Sequence, residues 1–305
     1  VAPIYEKARK LLQSLPKSSA FRFVYFGDSW FDWGTTRADA VTRFQIFLGA
    51  LETAARQTPK PLFILIGGDV VFSGTQQQFQ YVTQKISQFM DTSKIPVFIA
   101  PGNHERTGPT GPLNLYRKYI SAQLNYRIDV PRLRVVMLND IGPSSALSSS
   151  DYASYYGFEQ SGNALPFLKE SLRTTPAGSK AVVVMHVPPR TGTWTRTNGT
   201  TFTLKQEDGF SLSKPKNRDF MNTLSANRNK MQKVLVGHVH TYATSTIHGI
   251  PYVLEGQGGA VIGSNSIVLF TVNNGIVSSP KRIPIKRSNK TPSKVFVGQS
   301  TLPNP

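Results

Sequence analysis

The sequence predicts an α/β fold. Short apolar runs alternate with segments of helical periodicity over residues 20–100, the pattern of a parallel sheet wound by right-handed crossovers. Several of these runs stop abruptly at Asp, Asn or His, and the carboxyl ends of parallel strands are where open α/β sheets bind ligands. At 305 residues the chain can bury a full core, and its length fits one large α/β domain better than two small ones.

Residues 3–15 carry Ile4, Ala8, Leu11, Leu12 and Leu15 at helical spacing and run into Pro16, so an amphipathic helix is expected there. Phe21-Arg22-Phe23-Val24-Tyr25-Phe26 is the first strand, halted at Gly27-Asp28. An aromatic-rich loop, Ser29-Trp30-Phe31-Asp32-Trp33-Gly34, comes next. Val41, Phe44, Phe47, Leu48, Leu51 and Ala55 then recur at three and four, which predicts a helix over 39–57. The second strand, Pro61-Leu62-Phe63-Ile64-Leu65-Ile66, is broken by Gly67-Gly68 and delivers Asp69 to the sheet's edge. Phe79, Val82, Ile86 and Phe89 mark a helix at 75–91, and Ile95–Ala100 is a third buried strand ending in Pro101-Gly102-Asn103-His104-Glu105.

Further along, a helical piece is expected near 112–121, antiparallel strands at 124–130 and 133–138, a Ser- and Gly-rich loop at 142–154, and a short helix holding Leu165, Leu168 and Leu172. Ala181-Val182-Val183-Val184-Met185 is another buried strand, and it ends at His186-Val187-Pro188-Pro189-Arg190. Residues 191–215 show little periodicity and read as a long surface loop beside His186. A helix at 216–229 leads into Lys233-Val234-Leu235-Val236, which stops at Gly237-His238-Val239-His240, and short strands are expected at 242–247, 251–254 and 266–272. Residues 1–280 thus form a single domain, and 281–305, with six Lys or Arg and no acid, an extended basic tail.

Composition narrows the chemistry. The chain has no cysteine, which excludes disulfides, thiolate catalysis and Cys-ligated metal sites. It has no run of ~18 apolar residues of the kind that spans a bilayer. It begins at Val1 without a basic-then-apolar leader, which fits either a chain whose targeting segment was removed or one simply expressed from that point, and export is permitted. A net charge of +18 should draw polyanions, and residues 181–305 hold 15 Lys and Arg against 4 Asp and Glu. Phosphorylated small molecules, nucleic acid and phospholipid head groups are all candidates on this ground.

Of five histidines only His248 lies away from a strand end. Neutral imidazoles and carboxylates are the ligands that borderline divalent metals take. Asp28, Asp69, Asn103, His186, His238 and His240 are too many donors for one four-coordinate zinc but suit two ions sharing a carboxylate. Such a pair, ~3.5–4 Å apart, clamps the attacking and leaving oxygens of displacement at phosphorus and lowers the pKa of the water between. The protein then needs no nucleophile of its own, which agrees with the missing cysteine.

Gly27-Asp28, Gly68-Asp69, Gly102-Asn103-His104-Glu105, Val183-x-x-His186 and Gly237-His238-Val239-His240, in this order, resemble the signature of the calcineurin-like metallophosphoesterases, including the purple acid phosphatase branch. The resemblance covers about residues 20–275 and implies a four-layer α/β/β/α sandwich with a binuclear centre at the strands' carboxyl ends. It also implies two divalent or trivalent ions (Fe, Mn or Zn) and a metal-bound hydroxide as nucleophile. By motif, Asp69 would bridge the ions, Asp28 and His240 hold one, and Asn103, His186 and His238 hold the other. His104 would orient the phosphate or protonate the leaving alcohol, and Glu105 would fix a histidine. Arg190 and Arg106, close after His186 and His104, are placed to meet phosphate oxygens.

One departure matters. Most members have Asp-x-His where this chain has Asp28-Ser29-Trp30, and indole cannot ligate a metal. The tyrosine by which purple acid phosphatases make up for that histidine is Phe72 here. The first ion is left with three side-chain ligands, so it should bind weakly, take more water or recruit Asp32. The expected activity is hydrolysis of phosphate esters, leaning to monoesters. A phosphodiesterase acting on nucleotides, nucleic acid or phospholipid head groups is the second expectation, and a non-catalytic binding module on the same fold the third.

Overall fold

A computed structural model describes residues 3–107, 112–142, 156–159 and 161–298. The loop expected at 142–154 lies outside them from residue 143 onward. In chain order the elements are α1 (Ile4–Ser14), β1 (Ala20–Phe26), β2 (Trp33–Gly34), α2 (Arg37–Ala55), β3 (Phe63–Ile66), α3 (Gln76–Ser93) and β4 (Val97–Ile99). After a 3-10 turn at Asn103–Glu105 come α4 (Asn114–Tyr119), β5 (Tyr126–Val130), β6 (Leu133–Met137), α5 (Ala164–Arg173) and β7 (Lys180–Val184). The chain continues through β8 (Trp194–Thr195), β9 (Thr201–Phe202), α6 (Pro215–Ala226), β10 (Met231–Val236), β11 (Tyr242–Ile247) and β12 (Ile250–Glu255). It finishes with β13 (Ser266–Asn273), β14 (Ile276–Val277), β15 (Lys281–Pro284) and β16 (Phe296–Val297).

Two sheets carry the architecture. The first runs β14-β13-β1-β3-β4, with β1, β3 and β4 parallel and β13 antiparallel against β1. The second runs β5-β6-β7-β10-β12-β11-β8-β9, with β6, β7, β10 and β12 parallel at its centre. Period-two alternation divides each strand's side chains between two faces. Val182, Val184, Leu235 and Val253 of the second sheet join one core with the first sheet and with Phe44, Phe47, Phe79 and Val82 of α2 and α3. Their neighbours Ala181, Val183, Val234, Val236 and Leu254 face the other way, onto Leu165, Leu168, Phe220 and Leu224 of α5 and α6. Helices, sheet, sheet and helices therefore stack as the four expected layers.

Helix starts follow their caps. Thr36 accepts the Asp39 N–H at 3.1 Å at the head of α2, and Thr75 accepts that of Gln78 at 3.3 Å at the head of α3. The segment 191–215, expected as an open loop, instead folds back as the β8–β9 hairpin and extends the second sheet through β11. Trp194, fully buried, is the anchor that periodicity could not reveal in so short a strand.

The expected basic tail is likewise tied down as far as residue 298. β15 pairs with β13, the Ser288 N–H donates to the Gln45 carbonyl at 3.0 Å, and β16 pairs with β2. Its lysines and arginines suggested a solvated segment, but Ile283, Ile285 and Phe296 between them pack on the core.

Phe23 is fully buried and sits between the rings of Phe63 (5.4 Å) and Phe270 (4.9 Å), joining three strands of the first sheet. Phe23→Ala should therefore cost about 3–5 kcal/mol in chemical denaturation. A loss below about 1 kcal/mol would mean that the sheet does not rely on this stack.

Candidate metal centre

The parallel strands of both sheets end at the same edge of the molecule, and each delivers a polar residue there. Asp28 follows β1, Asp69 follows β3, Asn103 and His104 follow β4, His186 follows β7, and His238 and His240 follow β10. Asp28, Asp69 and His238 have left-handed backbones, with φ of 57°, 53° and 69°. Such values are uncommon for residues with a side chain, and here they turn the chain so that each side chain enters the cluster. Close approach also explains two glycines. A Cβ at Gly102 would collide with Asp69 Oδ1, and one at Gly237 with Asp28 Oδ2.

Four donors meet tightly. Asn103 Oδ1 lies 2.9 Å from His186 Nε2 and 3.1 Å from His238 Nδ1, and these two ring nitrogens are 3.3 Å apart. Asp69 Oδ2 is 3.2 Å from His186 Nε2. Asp69, His186 and His238 are all buried, with ligand atoms mutually within 4.8 Å, close enough to hold a metal ion. The opposite ring nitrogens face carbonyls: His186 Nδ1 lies 2.8 Å from the Gly67 oxygen and His238 Nε2 3.0 Å from that of Glu207. A carbonyl only accepts, so each of those outer nitrogens carries a proton, and the inner nitrogen is the one a metal would take, on His186 after losing its own proton.

His240 completes the other flank, its Nε2 3.7 Å from Asp28 Oδ1. Both Asp28 oxygens accept the His238 backbone N–H, at 3.0 and 2.9 Å. His104 Nδ1 faces the Phe72 carbonyl at 2.6 Å, its backbone N–H donates to Asp69 Oδ1 at 2.9 Å, and its Nε2 lies 3.8 Å from Asp69 Oδ2. The structure thus brings all six expected ligands and His104 into one volume. Arg190 is half-buried, with its backbone N–H on the Phe210 carbonyl, at the entrance of the 191–215 segment. Arg106 is buried and donates from Nη2 to the Gly142 carbonyl.

Glu105 differs from expectation. Its buried carboxylate holds backbone rather than a histidine, accepting the N–H groups of Asp69 (2.7 Å), Val70 (2.7 Å), Val71 (3.1 Å) and Gly102 (2.6 Å). Burial still lifts it to about 7. The sequence reading passed over Asp140, whose oxygens accept the N–H groups of His186 (3.2 Å) and Val187 (2.7 Å). Its signal was available, since β6 is followed by Leu138-Asn139-Asp140 just as its neighbours are followed by polar residues. Asp32 is fully buried and burial alone lifts it to about 9; the charges of the cluster do not figure in that shift.

Burial lowers the His186 imidazole, but the facing Asp69 and Asp28 carboxylates more than reverse this and hold it up at about 10. Burial and the neighbouring His186 push His238 down to about 3. Asp69 is held below the usual carboxylate range: burial alone would raise it, and the His186 and His104 imidazoles outweigh that.

Residues 21–242 match the model of the calcineurin-like phosphoesterases. The chain belongs to this family. No curated protein sequence matches it. Among solved structures, the phosphoesterase resembles a dimetal phosphatase from Danio rerio at 11% identity and a TM-score of 0.58, over 87% of this chain and 99% of that one. It resembles purple acid phosphatase PPD1 from yellow lupin (Lupinus luteus) seeds at 16% identity and a TM-score of 0.57, over 84% of this chain and 50% of the other. GAP50, the anchor in the inner membrane complex of Plasmodium, is similar at 14% identity and a TM-score of 0.51, over 88% of this chain and 90% of that one. These likenesses establish a shared fold, and the family uses a dimetal centre. No helix among the described residues is long and apolar enough to cross a membrane.

A metal ion has to displace the proton that Asp69 keeps on His186. Apparent Mn2+ affinity should therefore fall about tenfold for each pH unit from about pH 8 down to about pH 6, measured by calorimetric titration. An affinity independent of pH across that window would show that His186 is neutral before the ion arrives.

Proposed function

We propose that this phosphoesterase is a hydrolase of phosphate monoesters, with two metal ions held by Asp28, Asp69, Asn103, His186, His238 and His240. The observation that carries this is the meeting of Asp69, Asn103, His186 and His238, whose neighbouring donor atoms are 2.9–3.3 Å apart. Metal ions bound there supply Lewis-acid activation of water and of the phosphoryl oxygens.

The remaining chemistry belongs to side chains. His104, with Nδ1–H donated to Phe72, keeps Nε2 directed at the cluster, which supports a role in orienting phosphate or protonating the departing alkoxide. Arg190, half-buried and four residues after His186 in sequence, is assigned to the phosphate oxygens. Arg106, bonded to Gly142, is assigned to holding the turn after His104.

Depth favours the monoester. Asp28, Asp69, His104, His186 and His238 are buried and aromatic rings wall one flank, so a substrate with a single ester arm enters with less obstruction than one with two. The charge of +18 favours the alternative, a diester within a polyanion such as nucleic acid.

The test uses protein purified without chelator and chromogenic aryl phosphates. The monoester should be turned over with kcat/KM at least about tenfold above the diester, and chelation should abolish both activities. A diester preference would replace this reading with the phosphodiesterase. No turnover together with no bound metal would leave a binding module.

His238→Ala should lower kcat/KM by at least about 100-fold. His248→Ala should leave it unchanged: contrary to expectation His248 does follow a strand, β11, but it stands exposed in the turn into β12, away from the sheet edge that carries the cluster. Equal activity of the two variants would remove the ligand assignment.

A further inference from the structure

We infer that the two halves of this centre are unequal: the Asp69–Asn103–His186–His238 half keeps one ion permanently, and the Asp28–His240 half takes its ion reversibly from solution. The inference rests on the reading that these side chains bind metal, and goes beyond it by making the second ion weakly held and exchangeable.

The first half is complete and preorganised. Asn103 and His238 lie within 3.3 Å of His186 and Asp69 within 3.2 Å of it, and the outer nitrogens of both histidines are fixed by the carbonyls of Gly67 and Glu207. Little rearrangement is required when an ion displaces the hydrogen bonds among them.

Among the described residues the second half has only Asp28 and His240 beside the shared Asp69, and rings stand on its remaining side. Trp30 stands edge-on to His240 with centroids 4.8 Å apart, and it lies 5.0 Å from His104 and 4.9 Å from Phe72. Phe72 stacks on Trp33 at 3.5 Å, so these rings form one buried block with Ala260. Indole offers an N–H and no lone pair, and a phenyl ring offers neither. The wall fills the space where a fourth donor would stand.

Charge opposes the second ion as well. The Arg43 guanidinium lies over the rings of Trp30 (5.3 Å) and Trp33 (5.2 Å). It is pinned there by the carbonyls of Trp33 (3.0 Å), Gly259 (3.3 Å) and Ala260 (2.9 Å). A fixed cation behind Trp30 raises the cost of placing another beside His240. Asp28 is also committed in part, since both its oxygens already accept the His238 N–H.

The test is metal stoichiometry at constant pH, read by elemental analysis after exhaustive dialysis and then by Mn2+ titration with electron paramagnetic detection. Wild type should retain one ion per chain and bind the second at least about 100-fold more weakly. His240→Ala should abolish the weak class and leave the tight one, and His238→Ala should do the reverse. Trp30→His should strengthen the weak class at least about tenfold by restoring a nitrogen donor, while Trp30→Phe, which keeps the wall, should not. Circular dichroism of each variant checks that it folds.

Retention of two ions with equal tenacity by wild type would overturn this inference and leave the hydrolase standing. So would loss of the tight class in His240→Ala. Absence of any bound ion would remove both.

Discussion

Four backbone N–H groups converge on the Glu105 carboxylate, and the centre depends on that convergence. The turn after β3 and the turn after β4 are separate stretches of chain whose amides have no ladder partners. A buried amide without an acceptor costs about 1–3 kcal/mol, so the two turns would diverge without a common one. Glu105 joins them, which sets Asp69 against Asn103 and His104. Asp140 does the same for the turn after β7, accepting the amides of His186 and Val187. The arrangement places negative charge behind the ligand shell, where it also strengthens the hold on any cation in front.

The fold was legible because its signals are local. Apolar runs of the right length and helical spacing such as Val41, Phe44, Phe47, Leu48 and Leu51 need no tertiary knowledge to read. The ligand shell was legible for a similar reason, since every member lies just past a strand and most follow a glycine. What escaped was set by tertiary contact. Glu105 was assigned to a histidine because adjacency in sequence does not say which amides a carboxylate will face. The β8–β9 hairpin depends on Trp194 finding the core, and two residues per strand carry no periodicity. In the 281–298 segment composition pointed to solvent, while Ile283, Ile285 and Phe296 pack on the core and the backbone pairs with β13 and β2. Asp140 was missed although its position obeys the rule that its neighbours taught.

The C-terminal segment reaches the centre through aromatic contacts. Phe296 pairs in register with Trp33 and packs on the Trp30–Trp33–Phe72 block, and Trp30 and Phe72 in turn touch His240 and His104. Residues well outside the family match at 21–242 therefore finish the wall of its site. The glycine-rich stretch before β13 contributes too: the Gly258 N–H donates to the Gly27 carbonyl at 2.9 Å and that of Ala260 to the Asp28 carbonyl at 2.7 Å.

The pairing of β1 with β13 bears on how the molecule is made. Ala20 lies opposite Asn273, and the Asp28 carboxylate accepts an amide 210 residues later, from His238. On the ribosome, β1 leaves the exit tunnel with one edge bare, and that edge stays bare until β13 has followed. Contacts so distant along the polypeptide close slowly. The nascent chain thus carries an open strand until β13 is made and an unfinished ligand shell until His238 and His240 are made.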